Sequence, residues 1–310
     1  MNAARVSRIV SLLPSATEIV CALGLREALV GVSHECDFPA GVGSLPRVTR
    51  TRIAHAATSR EIDGQVRRAL AAAQALYSLD PEALVPLAPE LLVTQSLCEV
   101  CAVGPDEVEA ALCRLPGAPR LFTLQPERLA DILAGIRALA AAAGVPQMGE
   151  SVVAALAARI DAVQARSAAL PLAARPRVAL VEWLDPLFGA GHWNPELVEA
   201  AGGVPLHGRS GAPSTTLAWD DFRAHDPDVL FIACCGFDVA RTLADLPLAR
   251  ALPGWPALRA VRAGRVYVSD GNAYFNRPGP RIVDSLEILA HALHPERHPL
   301  PAGLPAAIRV

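Results

Sequence analysis

Short apolar runs alternate with longer stretches of helical period along most of the chain. The runs Arg8–Leu13, Leu29–Ser33, Leu91–Thr94 and Leu121–Leu124 predict strands. Between them, Ser15-Ala-Thr-Glu18 has the pattern of a capping box that opens a helix through Leu23, closed by Gly24. Ser59 to about Ala75 reads as helix, and Asp80-Pro81-Glu82 caps a short one. Pro105-Asp106 starts another, and Pro126–Ala143 forms one that Gly144 stops. Alternating strands and helices imply a parallel sheet covered on both faces.

Past Gly144-Val-Pro146 the pattern changes. Glu150 to about Leu170 predicts one long helix in which Val153, Leu156, Ile160 and Val163 share a face. About twenty residues at 1.5 Å each give roughly 30 Å. The theme then repeats: strands at Val178–Trp183, Val229–Ala233 and Arg265–Val268, with helices at Asn194 to Gly202-Gly203, Trp219–Ala224, Ala240–Arg250 and Pro280–Leu293. Each half also carries an acid-capped short helix, a proline beside an acid, and an apolar strand, around Pro81–Val93 and Asp220–Ile232. The expected fold is α/β: two Rossmann-like lobes with parallel sheets joined by one long backbone α-helix. The expected boundaries are 1–146 for the first lobe, 147–171 for the helix and 172–310 for the second lobe. The proline-rich tail from His294 to Val310 is expected to pack loosely.

Composition narrows the classes. Of 310 residues, 52% are hydrophobic and 19% charged, which excludes a disordered chain and supplies ample core. Aromatics are only 5%, so that core must be built from Ala, Leu and Val. With 28 basic and 31 acidic residues well mixed, no footprint for nucleic acid or an anionic membrane exists. No uninterrupted apolar stretch of about 18 residues occurs, so no membrane span is expected. Arg5 and Arg8 imitate a charged leader, but Pro14 stops the apolar run too early. Seven cysteines in a chain too long to need staples read as reduced thiols. A cytoplasmic location is therefore expected, periplasmic only if the start is mis-assigned, and a monomer.

Ligands in parallel α/β sheets bind beyond the carboxyl ends of the strands. The residues there include His34-Glu35-Cys36, Gln95 to Cys101, Trp183 to Asp185 with Gly191-His192-Trp193, Cys234-Cys235-Gly236, and Asn272 to Arg277. Five of the seven cysteines fall in these loops, where they are expected to be accessible. Cys21 and Cys113 fall inside helices as buried, inert thiols. Cys98 and Cys101 flank Glu99 just before a helix N-terminus, where thiolates are stabilised. A single C-x-x-C is a weak metal signal, and a loop histidine is more often a satisfied polar group than a ligand. Trp183, expected at a strand rim and not in the core, and Trp193 offer flat apolar surfaces. No dinucleotide glycine spacing, phosphate loop, nucleophile elbow or paired carboxylates occur, so the chain reads as a binding protein and not an enzyme.

Ser11-Leu-Leu-Pro-Ser-Ala-Thr-Glu-Ile19, Val30-Gly-Val-Ser-His-Glu-Cys-Asp-Phe-Pro39, Pro89-Glu-Leu-Leu-Val-Thr94 and Phe275-Asn-Arg-Pro-Gly-Pro-Arg281 resemble the class III substrate-binding proteins of ABC importers. The likeness is greatest to the cobalamin-binding members, and it runs from about Arg8 to Leu293. It implies two Rossmann-like lobes, a rigid connecting helix and a ligand clamped in the cleft. Glu35 and Cys36 fall where those members contact the corrinoid, and Trp183 where they carry a pocket aromatic. Gln95 stands where they often place an aromatic. Glu82 and Asp220 resemble the two acids that dock onto permease arginines; helix capping is their plain alternative.

Two functions remain open. The first is a substrate-binding protein for cobalamin or a related corrinoid, possibly serving an ABC permease. Its ligand would meet His34, Glu35, Cys36, Gln95, Cys98, Cys101, Trp183, His192, Trp193, Cys235, Phe275 and Asn276, with Asn272 also reading ligand amides. The second is a cytoplasmic thiol/metal protein on the same scaffold. There His34, Cys36, Cys98, Cys101 and Cys234 would hold iron, zinc, a haem iron or an iron–sulfur centre. A redox pair of Cys98 and Cys101 is a weaker third reading.

Overall fold

The computed structural model describes residues 4–53, 58–72, 76–95, 108, 112 and 115–310. The chain divides into two units. The first comprises residues 1–57, 64–126 and 130–155; the second comprises 58–63, 127–129 and 156–310.

In the first unit β1 (Ile9–Ser11) is buried throughout, as a central strand must be. The chain then enters α1 (Pro14–Ala22), with Pro14 in its first turn. Proline presets the helical φ and lacks the N–H that would be orphaned there. The helix thus starts earlier than the capping-box pattern implies. Its cap position is Leu13, and Ser15 lies inside the first turn with its hydroxyl lacking a partner among the described residues. The far end does match expectation. Gly24 N–H donates to Cys21 C=O and Leu25 N–H to Val20 C=O, with Gly24 at φ +71°. That is the Schellman arrangement, which requires a left-handed residue at this position.

β2 (Leu29–Val32), β5 (Leu91–Gln95) and β6 (Arg120–Leu124) complete the sheet, in the order β2-β1-β5-β6 with every pairing parallel. Each position of β5 is buried, both its apolar start Leu91-Leu92-Val93 and the polar Thr94 and Gln95 that follow. A two-stranded antiparallel ribbon, β3 (Thr49–Thr51) with β4 (Tyr77–Leu79), lies outside this sheet. The strands of this ribbon are three residues each, too short for periodicity to announce. α2 (Ser59–Ala71) occupies the predicted segment, and α3 (Pro81–Leu84) follows the Asp80 cap, whose carboxylate accepts from Ala83 N–H. α4 (Leu129–Ala142) precedes α5 (Pro146–Ala168), a helix of 23 residues or roughly 34 Å. The predicted helix at Pro105-Asp106 lies outside the described residues.

The second unit departs from the all-parallel expectation. β7 (Arg177–Leu184), β11 (Val229–Ile232) and β12 (Val266–Val268) form its parallel centre, with β9 (Val204–Pro205) parallel at the start of β7. Antiparallel strands extend both sides: β8 (Leu187–Gly189) and β10 (Thr215–Thr216) beyond β7, and β13 (Ile308–Arg309) beyond β12. Asp185-Pro186 breaks β7, so the chain turns back on it directly. α6 (Asn194–Ala200), α7 (Trp219–His225), α8 (Val239–Arg250), α9 (Arg259–Arg262) and α10 (Ile282–Leu293) supply the helices. The core between them is aliphatic, with Val181, Leu230, Ile232 and Val268, plus a few rings such as Phe222 and Trp255.

The tail does not pack loosely. Its β13 pairs with β12, and the Arg309 guanidinium donates to the carbonyls of Gly264 and Ala263 at the end of α9. At its other end His298 is buried, and its Nε2 lies 3.2 Å from the Ser167 hydroxyl at the end of α5. His291 Nδ1 meets the carbonyl of His298 at 2.8 Å, and His294 Nε2 the carbonyl of Gly202 at 3.1 Å. Burial pushes the His298 pKa down to about 4, helped by Arg166, His294, Arg297 and His291 around it. His294 is lowered too, by burial first, then by Arg265, Arg297 and Arg175, against the Gly202 bond.

Folded His298 is neutral where an unfolded histidine, with a pKa of about 6.5, already takes a proton. Its contribution is complete above pH about 6.5 and is lost as pH falls from there towards 4. Urea midpoints measured across that window should fall, and His298→Gln should flatten the fall while lowering the midpoint at pH 7.

Candidate functional site

The loop after β2 is the most fully built of the predicted positions. His34 is half-buried: its backbone N–H donates to Thr49 Oγ1 at 2.9 Å, and its Nδ1 lies 2.6 Å from the same oxygen. Its ring rests on Tyr77, centroids 5.2 Å apart. Nε2 faces Glu35 Oε1 at 3.9 Å. Because Thr49 accepts from the backbone N–H and can donate to Nδ1, a neutral ring here carries its proton on Nε2. Glu35 is exposed and accepts from the Tyr77 hydroxyl at 3.1 Å. The loop therefore presents an oriented carboxylate and an imidazole at the carboxyl end of a parallel strand, where such folds place ligand contacts.

Cys36 does not share that exposure; it is fully buried. Its sulfur sits 3.0 Å from Thr17 Oγ1 and 3.2 Å from Ser33 Oγ. Thr17 donates to Ser11 Oγ and Ser11 to the Leu13 carbonyl, each at 2.9 Å. With both of those hydrogens engaged, the thiol donates to Thr17. The expected ligand contact is in this structure the anchor of the loop. Arg47 holds the same loop from below, its Nη1 donating to the carbonyls of Ser33, His34 and Cys36 at 2.7, 3.1 and 2.7 Å. Nothing in the spacing of Arg47 links it to residues 33–36, so sequence reasoning missed it, as it missed Thr17 and Tyr77.

Gln95 ends β5 and is buried, with no partner for Oε1 among the described residues. Cys98, Cys101 and Cys113 lie outside the described residues. Glu82 is exposed in α3, and the capping alternative fails for it, because Asp80 is the cap and also pairs with Arg50 at 2.6 Å.

In the second unit, Trp183 is half-buried. Its ring lies 4.8 Å from that of Phe237 and packs on the aliphatic core, so part of it joins the core from which the sequence reading excluded it. The cause is the tight β7–β8 turn, which sets Trp183 opposite Phe188. The indole N–H donates to the carbonyls of Asp185 at 3.1 Å and Ser59 at 3.3 Å. Three other predicted contacts are scaffold. Phe275 is fully buried with its ring 5.1 Å from Phe231; its backbone is left-handed at φ +65°, and its N–H donates to Ser285 on α10. Trp193, also buried, donates its indole N–H to the Phe275 carbonyl at 2.8 Å. Asn276 commits its amide hydrogens to the carbonyls of Ala233 and Gly271, 3.0 Å each, tying the loops after β11 and β12 together. Gly271 makes that approach possible, since a Cβ there would lie 2.1 Å from the Cys234 carbonyl. Asn272 accepts from Arg277 at 2.8 Å. His192, half-buried at φ +50°, stacks on Trp193 at 5.6 Å, and burial lowers its pKa. Asp220 is 86% exposed in the first turn of α7, 3.2 Å from Arg223; the helix has no side-chain cap.

Of the expected metal-binding set, His34, Cys36 and Cys234 are described, and Cys98 and Cys101 are not. Among the described residues no three His, Cys, Asp or Glu side chains are grouped to hold a metal ion. His34 and Cys36 face different partners, and Cys234 is buried with its pKa pushed up to about 12 by desolvation, which opposes the thiolate a metal needs.

A family model described as periplasmic binding protein matches residues 9–273. The chain belongs to that family. Among its relatives is a Vitamin B12-binding protein of Vibrio cholerae, 25% identical over 288 residues that span 90% of this chain and 86% of the relative. Among solved structures, a periplasmic heme-binding protein of Pseudomonas aeruginosa is 26% identical, covers 98% of this chain and 99% of its own, and superposes with a TM-score of 0.71. The periplasmic Vitamin B12-binding protein of Vibrio cholerae shares the fold at 24% identity and a TM-score of 0.63, over 93% and 97% of the two chains. The expected cytoplasmic location is corrected by this membership, since the family is one of periplasmic binding proteins. It is a family of substrate-binding proteins, whose members bind without catalysing. No helix among the described residues is long and apolar enough to cross a membrane.

The burial of the cysteines reverses part of the expected reactivity. Cys36 and Cys234 are buried, whereas Cys21 and Cys235 are half-buried. Desolvation raises the Cys21 pKa, so Cys21 should react slowly but measurably. Of the four described cysteines, native-state alkylation read by mass spectrometry should label Cys235 first, then Cys21, and reach Cys36 and Cys234 only after unfolding.

Proposed function

We propose that this chain is a periplasmic substrate-binding protein for cobalamin or a related corrinoid, working with an ABC permease and performing no catalysis. The observation that carries the proposal is the 25% identity with a Vitamin B12-binding protein across 90% of the chain. The loop 33–36 supports it, with an exposed carboxylate and an oriented imidazole at a strand's carboxyl end. Burial of a large corrin ring would supply affinity at about 25 cal/mol per Å², less the cost of association. In the first unit His34 and Glu35 are the proposed contacts, and in the second Trp183 and Cys235. The exposed Glu82 and Asp220 are the proposed permease-docking acids. A second reading, heme as ligand, rests on the 26% identity with the Pseudomonas heme-binding protein.

Gel filtration after mixing with hydroxocobalamin or hemin separates the readings. Retained pink colour supports the corrinoid, a retained heme absorption band supports the alternative, and colourless protein from both sinks the proposal.

Trp183 gives a sharper test. Because its ring packs on Phe237 and the core, Trp183→Ala should cost about 2–3 kcal/mol of stability. As a ligand contact it should also raise the corrinoid Kd by about 5- to 150-fold. Thermal melts and an absorbance titration of the same variant check both; an unchanged Kd removes Trp183 from the site.

A further inference from the structure

We infer that Arg47 is the positioning residue of the ligand-facing loop 33–36, an inference that rests on the reading of this loop as a corrinoid contact. Three carbonyls, those of Ser33, His34 and Cys36, converge on one nitrogen, Nη1, at 2.7, 3.1 and 2.7 Å. Nη1 carries two hydrogens, so one of them is shared between two acceptors. The Cys36 N–H reaches the Ser33 carbonyl as well, at 3.3 Å. The remaining donation comes from the guanidinium, and charge-assisted bonds of this kind are the strong ones.

The origin of the side chain is as fixed as its end. Residues 46–48 run parallel to the end of β2: Val32 N–H donates to the Pro46 carbonyl at 3.0 Å and Val48 N–H to the Val32 carbonyl at 2.9 Å. The reach of Arg47 to the loop is thereby set by the sheet edge. Without it, three converging carbonyl dipoles would repel one another, and the peptides would rotate to find water. Such rotation would carry His34 and Glu35 away from Thr49 and Tyr77, so the loop would meet a ligand unprepared. The fully buried strands β1 and β5 make no use of Arg47, so its loss opens the loop and not the unit.

Two variants test this. Arg47→Met keeps the apolar stem and removes every donor. Arg47→Lys keeps the charge and puts three donors on one nitrogen, but is one bond shorter. Each is compared with wild type in hydroxocobalamin affinity, amide hydrogen exchange and melting temperature. Arg47→Met should speed exchange of the amides of residues 34–37 at least tenfold, leave β1 and β5 protected, and raise the Kd at least tenfold. Arg47→Lys should recover part of both changes. Unchanged exchange at 34–37, or an unchanged Kd despite faster exchange, overturns the inference. So does a loss of protection spread equally over β1 and β5, which would mark a general stability role. If wild type retains no corrinoid, the functional reading fails separately, and the exchange data alone decide whether Arg47 fixes the loop.

Discussion

Backbone carbonyls at the ends of parallel strands must be paired once the chain leaves the sheet, and much of this molecule is arranged around that need. A strand is satisfied by its neighbours, but the loop that follows has no ladder to join. Here side chains from distant segments supply the missing donors. Arg47 holds three carbonyls of the loop after β2, Asn276 holds one carbonyl from each of two loops, and Trp193 holds Phe275. Arg8 does the same on the Leu87 carbonyl at 2.8 Å, outside any candidate site. A chain with only 5% aromatics has few bulky side chains to wedge its loops, which leaves hydrogen bonding to order them.

That constraint divides the candidate residues by role. Side chains whose polar atoms are consumed by backbone, such as Asn276 and Trp193, build the surface on which a ligand can act. Side chains with an exposed charge, such as Glu35, are the ones proposed to meet it. The buried Cys36 belongs to the first group, because its thiol sits between the Thr17 and Ser33 hydroxyls as a small anchoring donor.

The related proteins described as Vitamin B12-binding and as heme-binding share this fold, and both ligands are broad, flat tetrapyrrole-type rings. A fold of this kind hosts different ligands by changing its strand-end loops while keeping its sheets. Under the proposed function, the choice between corrin and heme falls on a few loop side chains, among them His34, Glu35 and Trp183.

The alternation of short apolar runs with helical segments determined the α/β class, the order of the main elements and the long helix, because period and punctuation are local properties. The Gly24 and Asp80 helix ends were equally legible, each being a short pattern with one geometry. What the sequence did not contain was which atoms in the strand-end loops would be free. Ser15 lost its predicted capping role because the helix starts at Pro14 and puts the cap position at Leu13, and the short strands β8, β10 and β13 had no periodicity to show. Phe275, Asn276 and Cys36 looked like ligand contacts by position and became scaffold because their neighbours, distant in sequence, needed donors and filling. Arg47 was silent for the same reason: its partners lie 11 to 14 residues away, and only the strand pairing at Val32 brings it to them. Hydrogen-bond partnership is decided by through-space distance, and that is settled only when the chain has folded.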